Sequence, residues 1–142
     1  MASTGAVLIV DDSPDVRYLF AAALASCGFR ALVARDGREG VALAREHEPR
    51  LILLDLAMPR MDGVGAMAKL QEDPRTARIP VLAVSGYDVA ADELRRLGFR
   101  GLVHKPVAAL DLARAVRGCL EDAARGIAWS DPGTLSGRSS AE

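Results

Sequence analysis

The sequence predicts an α/β fold, a doubly wound five-stranded parallel sheet with helices on both faces. Two observations carry this. Five short apolar runs alternate with longer segments of helical period, which is the signature of repeated strand–helix units. Three of the five runs are unbroken stretches of four apolar residues, as expected of strands covered on both sides.

The strands are predicted at Val7-Leu8-Ile9-Val10, Ala31-Leu32-Val33, Leu51-Ile52-Leu53-Leu54, Val81-Leu82-Ala83-Val84 and Gly101-Leu102-Val103. Ser13 caps a first helix with Pro14 in its first position, and Gly28 stops it after Cys27. Asp36-Gly37 opens a second helix that runs to about His47, with Pro49 beyond. Asp62 or Gly63 starts a third, ending near Asp73-Pro74. A fourth is predicted over Asp88 to Leu97, closed by Gly98, and Pro106 begins a fifth that continues to about Arg125. One domain is expected over residues 1–125. Residues 126–142, rich in Ser, Gly, Asp and Pro and without periodicity, read as a disordered tail, with Trp129 as a loosely packed end of the last helix.

Composition narrows the function. A chain of 142 residues, half of them hydrophobic and 26% charged, buries a core without staples. A formal net charge of −1 gives no reason to expect a nucleic-acid or membrane surface. No apolar run approaches the roughly 18 residues that span a bilayer, and Met1 to Gly5 lack the basic and apolar regions of a signal peptide. Cys27 and Cys119 are too few for a disulfide framework and read as buried thiols. A cytoplasmic protein is expected. Of 18 basic residues only Lys69 and Lys105 are lysines, which draws notice to both.

The chemistry lies at the strand ends. In an open parallel sheet, ligands bind at the carboxyl ends of the strands, where the chain order reverses. The first run ends in Asp11-Asp12, the third in Asp55 and the fourth in Ser85, and the fifth leads into His104-Lys105-Pro106. A strand order of 2-1-3-4-5 brings these to one edge. Any one of them alone is most simply a turn former or a cap. Together they gather three carboxylates, a hydroxyl and an ammonium.

Such a set has a coherent use. Closely packed carboxylates disfavour one another's ionised form, and a divalent cation relieves that. Mg²⁺ takes oxygen ligands, commonly one or two carboxylates plus phosphate oxygens. A carboxylate is also a nucleophile that forms an acyl phosphate, and phosphoryl transfer asks chiefly for positioning and charge neutralisation. The lysine supplies a compact positive charge and Ser85 a hydroxyl donor.

Over about residues 5–124 the chain resembles a two-component response-regulator receiver domain, of the stand-alone, chemotaxis-regulator-like kind. The matching segments are Val10-Asp11-Asp12, Leu54-Asp55-Leu56-Ala57-Met58-Pro59-Arg60-Met61-Asp62-Gly63, Ser85-Gly86 and Lys105-Pro106. The resemblance implies a flavodoxin-like fold, with Asp55 as phosphoacceptor. It also implies Mg²⁺ held by Asp11, Asp12, Asp55 and the backbone carbonyl of Ala57. Ser85 becomes the switch hydroxyl, Lys105 the partner of the phosphoryl group, and the bond before Pro106 is expected cis. The implied partners are a sensor histidine kinase or histidine phosphotransfer protein and a downstream protein reached by noncovalent contact; a weak homodimer is compatible with this set. Such a protein is not an enzyme acting on other molecules; it assists its own phosphorylation and dephosphorylation. One departure stands out: the family usually places Tyr or Phe three residues before the lysine, and here that residue is Leu102.

Other classes fit less well. A haloacid-dehalogenase-like phosphatase has an acid two residues after its nucleophile, where Asp55 is followed by Ala57 and Asp12 by Pro14. A flavodoxin-like cofactor carrier needs a phosphate-cradling loop after the first strand, and Asp11-Asp12 would repel a phosphate there. A receiver-like module that binds partners without phosphorylation is the remaining alternative, favoured by Leu102 and opposed by the complete acidic and lysine positions. His47 in a charged helix end and His104 pointing away from Lys105 are assigned no chemistry.

Overall fold

The computed structural model describes residues 5–58 and 62–130. Five strands, β1 (Ala6–Val10), β2 (Arg30–Ala34), β3 (Leu51–Asp55), β4 (Val81–Ser85) and β5 (Gly101–His104), form one parallel sheet in the order β2-β1-β3-β4-β5. Between them run α1 (Pro14–Ser26), α2 (Gly37–His47), α3 (Gly63–Glu72) and α4 (Ala91–Leu97), and α5 (Ala109–Ala124) follows β5. This is the doubly wound, flavodoxin-like architecture expected.

Alternation along the central strands divides the core into two. Val7, Ile9, Leu51 and Leu53 pack with Phe20, Leu24, Leu112 and Val116 under α1 and α5. Leu8, Val10, Ile52 and Leu54 pack with Val41, Ala44, Met67, Leu70 and Leu94 under α2, α3 and α4. β1, β3 and β4 are buried at every position, whereas β2, at the sheet edge, is largely open. That edge position explains why its apolar run is short. Cys119 lies in the first core, and burial, aided by Asp122, pushes its thiol up to about 11; Cys27 is half-buried.

Helix starts follow the sequence where a side chain caps them. Ser13 Oγ accepts from the Val16 amide at 3.3 Å, Asp36 from Glu39 at 2.8 Å and Asp62 from Gly65 at 2.8 Å. Two starts differ from expectation. α4 begins at Ala91 rather than Asp88, and α5 at Ala109 rather than Pro106; their cap residues, Ala90 and Ala108, make no side-chain bond. Residues 86–90 are instead a loop tethered to Ser85, and the Lys105–Pro106 bond is cis.

The packed domain also extends past residue 126, where the sequence reads as tail. Trp129 packs on the α2/α3/α4-side core with the Arg95 guanidinium 5.1 Å from its ring centre. Ser130 is buried; its Oγ donates to Asp122 at 2.8 Å and its amide donates to the Arg100 carbonyl at 2.7 Å. Residues 131–142 of the expected tail, and Pro59, Arg60 and Met61 of the central motif, lie outside the described residues. No helix among the described residues is long and apolar enough to cross a membrane.

Candidate functional site

Asp55 is the last residue of β3, and two backbone features fix it. The Leu56 amide donates to the Val84 carbonyl at 3.0 Å, so the strand pairing carries on past the carboxylate. Gly63, the first residue of α3, then lies directly on this turn. A Cβ there would stand 2.6 Å from the Asp55 carbonyl oxygen and 2.7 Å from the Leu56 Cα. Only glycine admits so close an approach, and so the start of α3 presses the loop after β3 into place.

The neighbouring strand ends supply the rest. Asp11 follows β1; its amide donates to Ala34 at 3.1 Å, its Oδ1 accepts from the Ser13 amide at 2.9 Å, and Arg17 holds its carbonyl at 2.8 Å. The Lys105 amide donates to the Ser85 carbonyl at 2.8 Å, and from there its side chain reaches back across the sheet edge. Its Nζ lies 2.9 Å from Asp11 Oδ2 and 3.5 Å from Asp55 Oδ2. The ammonium carries charge above its ordinary pKa range: burial works against the charge, and the Asp11 and then the Asp55 carboxylate outweigh it.

Asp11, Asp12 and Asp55 each present a carboxylate oxygen within 4.8 Å of the others. Asp11 and Asp55 are buried and Asp12 is exposed at the mouth. Burial raises the Asp55 pKa, with the Asp11 charge adding to it; the Ala57 amide, donating to Oδ1 at 3.2 Å, and Lys105 pull the other way without cancelling it. Three carboxylates thus face one ammonium. Asp11 Oδ2 is buried, and its close partner is the Lys105 ammonium at 2.9 Å. An oxygen-rich, under-neutralised cluster with a buried lone pair to spare fits a hard divalent cation such as Mg²⁺.

Ser85 is wholly buried at the end of β4, and its hydroxyl is engaged locally. Oγ donates to the Tyr87 carbonyl at 2.7 Å and accepts from the Tyr87 amide at 3.0 Å. Leu102 is buried within the α2/α3/α4-side core, and His104 is exposed. The structure therefore brings Asp11, Asp12, Asp55 and Lys105 together, sets Ala57 beside Asp55, and places Ser85 on the adjacent strand end. Sequence reading missed Arg17 and Tyr87. Arg17 lies one helical turn beyond the cap and looks like any surface arginine, whereas Tyr87 had a readable signal, the two-residue spacing of a serine turn.

Comparison with known proteins agrees with this picture. The response regulator receiver domain family matches residues 7–117. Over 116 residues the chain is 38% identical to protein PilH of Pseudomonas aeruginosa, covering 80% of this chain and 96% of PilH. It is 32% identical over 122 residues to the polar-differentiation response regulator DivK of Brucella ovis, covering 84% and 99%. The chemotaxis response regulator CheY4 of Vibrio cholerae superposes with a TM-score of 0.77 at 25% identity, covering 82% of this chain and 99% of CheY4. With the family matched across most of its length and the acidic cluster at the carboxyl edge of the sheet, the chain belongs to the response regulator receiver domains of two-component signalling.

Proposed function

We propose that this receiver is a phosphoacceptor: Asp55 takes a phosphoryl group from a phosphohistidine on a sensor histidine kinase or histidine phosphotransfer protein in the cytoplasm. The observation that carries the reading is the buried Asp55 carboxylate facing the Lys105 ammonium at 3.5 Å, with Asp11 and Asp12 within 4.8 Å. One Asp55 oxygen attacks phosphorus, the P–N bond breaks, and the histidine imidazole leaves with that electron pair, producing an acyl phosphate on Asp55. Asp11, Asp12, Asp55 and the Ala57 carbonyl would hold Mg²⁺, which when bound neutralises charge on the transferring group. Lys105, already positioned by two carboxylates, shifts its ion pair toward a phosphoryl oxygen. Ala57 fixes the second Asp55 oxygen through its amide. The same machinery run with water as acceptor would return the carboxylate, so the protein acts on itself rather than on other substrates.

An apolar groove of about 430 Å³ opens beside Lys105, lined by Leu19, Phe20, Pro106, Val107 and Leu112. It suits the helix of a phosphodonor that must bring its histidine to Asp55, and its continuity with Lys105 supports that occupant. Output passes to a downstream protein by noncovalent contact. The family membership leaves no place for the haloacid-dehalogenase-like phosphatase reading. The second reading, a module that binds partners unphosphorylated, is favoured by Leu102, which fills its core position where an aromatic switch would move. Asp55→Asn decides between them: phosphate uptake from acetyl phosphate with Mg²⁺, followed by intact-mass spectrometry, is expected in wild type and absent in the variant. Equal uptake by both proteins would remove Asp55 as acceptor.

A further inference from the structure

We propose that Tyr87 is the switch aromatic of this chain, released by the Ser85 hydroxyl and moving into the groove between α3 and α4 when Asp55 is phosphorylated. The inference rests on the phosphoacceptor reading and adds the route by which that event leaves the site.

A hydroxyl has one proton. In the structure Ser85 Oγ spends it on the Tyr87 carbonyl at 2.7 Å, while the Tyr87 amide donates back to the same oxygen at 3.0 Å. These two bonds hold the first residues of the β4–α4 loop. Ser85 cannot give that proton to the Tyr87 carbonyl and to a phosphoryl oxygen at once. An anionic acceptor on the adjacent strand end makes a hydrogen bond roughly twice as strong as a neutral carbonyl does, so the proton transfers its allegiance. The Ser85 backbone does not follow, because its carbonyl is held by the Lys105 amide at 2.8 Å and its strand is paired on both sides. The side chain turns, and Tyr87 loses its tether.

What Tyr87 does next follows from its surroundings. Tyr87 is half exposed and already stands at the rim of a groove of about 210 Å³, which it lines together with Leu56, Val64, Val89, Leu94 and Leu97 and with the acidic Asp62 and Glu93. Apolar surface on both ring and groove favours closure. The entrance to α4 is lightly held: Ala90 offers no side-chain cap, and Gly86 has no described neighbour within 4 Å of where a Cβ would stand. Leu102, buried in the core, has no comparable link to Ser85. The moving aromatic has thus passed from the strand before the lysine to the loop after the serine.

The chain has two tyrosines, Tyr18 and Tyr87, which makes the test selective. In Tyr18→Phe protein labelled with 3-fluorotyrosine, a single ¹⁹F signal reports Tyr87. With acetyl phosphate and Mg²⁺, in samples whose intact mass shows one added phosphate, this signal is expected to shift and to lose its broadening by a soluble gadolinium chelate. Ser85→Ala is expected to gain phosphate more slowly yet leave the signal unresponsive, and Ser85→Thr to restore the response. A Tyr87 signal that stays in place in phosphorylated wild type, or moves equally in Ser85→Ala, would overturn the proposal. Absence of phosphate uptake would instead overturn the phosphoacceptor reading, and the exchange with it.

Discussion

Lys105 sits closer to Asp11, at 2.9 Å, than to Asp55, at 3.5 Å. Its resting partner is therefore the carboxylate that does not react, which leaves the nucleophile only partly neutralised. A compact ammonium can pivot between the two; a planar guanidinium, longer and directional, cannot occupy the same half-buried position without displacing one of them. Lys105→Arg is expected to slow phosphate uptake by about tenfold, or ~1.4 kcal/mol of barrier, rather than abolish it. A time course of intact mass under acetyl phosphate reads this directly. Uptake at the wild-type rate would reduce Lys105 to a generic positive charge. The sequence exposed this residue for a simple reason: in a chain that otherwise relies on arginine, a lysine at a strand end stands out.

At the scale of elements, the legible features were those written locally. Buried strands declare themselves by unbroken apolar runs, and α1, α2 and α3 by the Ser13, Asp36 and Asp62 caps. The starts of α4 and α5 did not, because alanines occupy both cap positions and the residues with helix-start chemistry, Asp88 and Pro106, lie in the loops that precede them. Gly63 shows the same limit. It reads as a helix start, yet its necessity comes from the β3 backbone 2.6 Å from its missing side chain. Both partners there are backbone and cannot turn aside. Gly63→Ala is expected to cost about 1–3 kcal/mol in urea unfolding and to slow phosphate uptake, since relief must move Asp55. A variant of wild-type stability and rate would show that the loop yields freely. The C-terminal segment makes the opposite point, since polar composition concealed a docked element. Trp129, half-buried against the core and the Arg95 guanidinium, joins α4 to the end of α5. Trp129→Ala is expected to cost about 2 kcal/mol, below the range for a fully buried aromatic, with Arg95→Ala smaller and the pair less than additive. Denaturation curves coincident with wild type would mean that the Trp129–Arg95 contact contributes nothing to the fold.

For the whole molecule, the site is a cost that the sheet carries. Two packed cores and a five-stranded parallel sheet hold three carboxylates within 4.8 Å of one another, two of them buried, with one ammonium to balance them. The fold tolerates the repulsion because the strand ends are fixed by pairing and by the Gly63 contact, not by the carboxylates themselves. Binding to the native state alone then stabilises every part that unfolds with it. At a Mg²⁺ concentration about ten times Kd, the linkage amounts to roughly 1.4 kcal/mol, or a rise in Tm of about 4–6 °C for a domain of this size. Asp12 separates the two effects. It is exposed and makes no close ion pair with Lys105, so its loss leaves the Asp11–Lys105–Asp55 arrangement standing. Asp12→Ala is accordingly expected to unfold at an equal or higher temperature than wild type in the presence of EDTA, because one repelling charge is gone. In Mg²⁺ the order should reverse, because the variant has lost a ligand and gains little from the ion. Differential scanning calorimetry of both proteins in EDTA and across a Mg²⁺ titration makes the comparison. Parallel Mg²⁺-dependent gains in the two proteins would take Asp12 out of the cation site and leave the acidic cluster to Asp11 and Asp55.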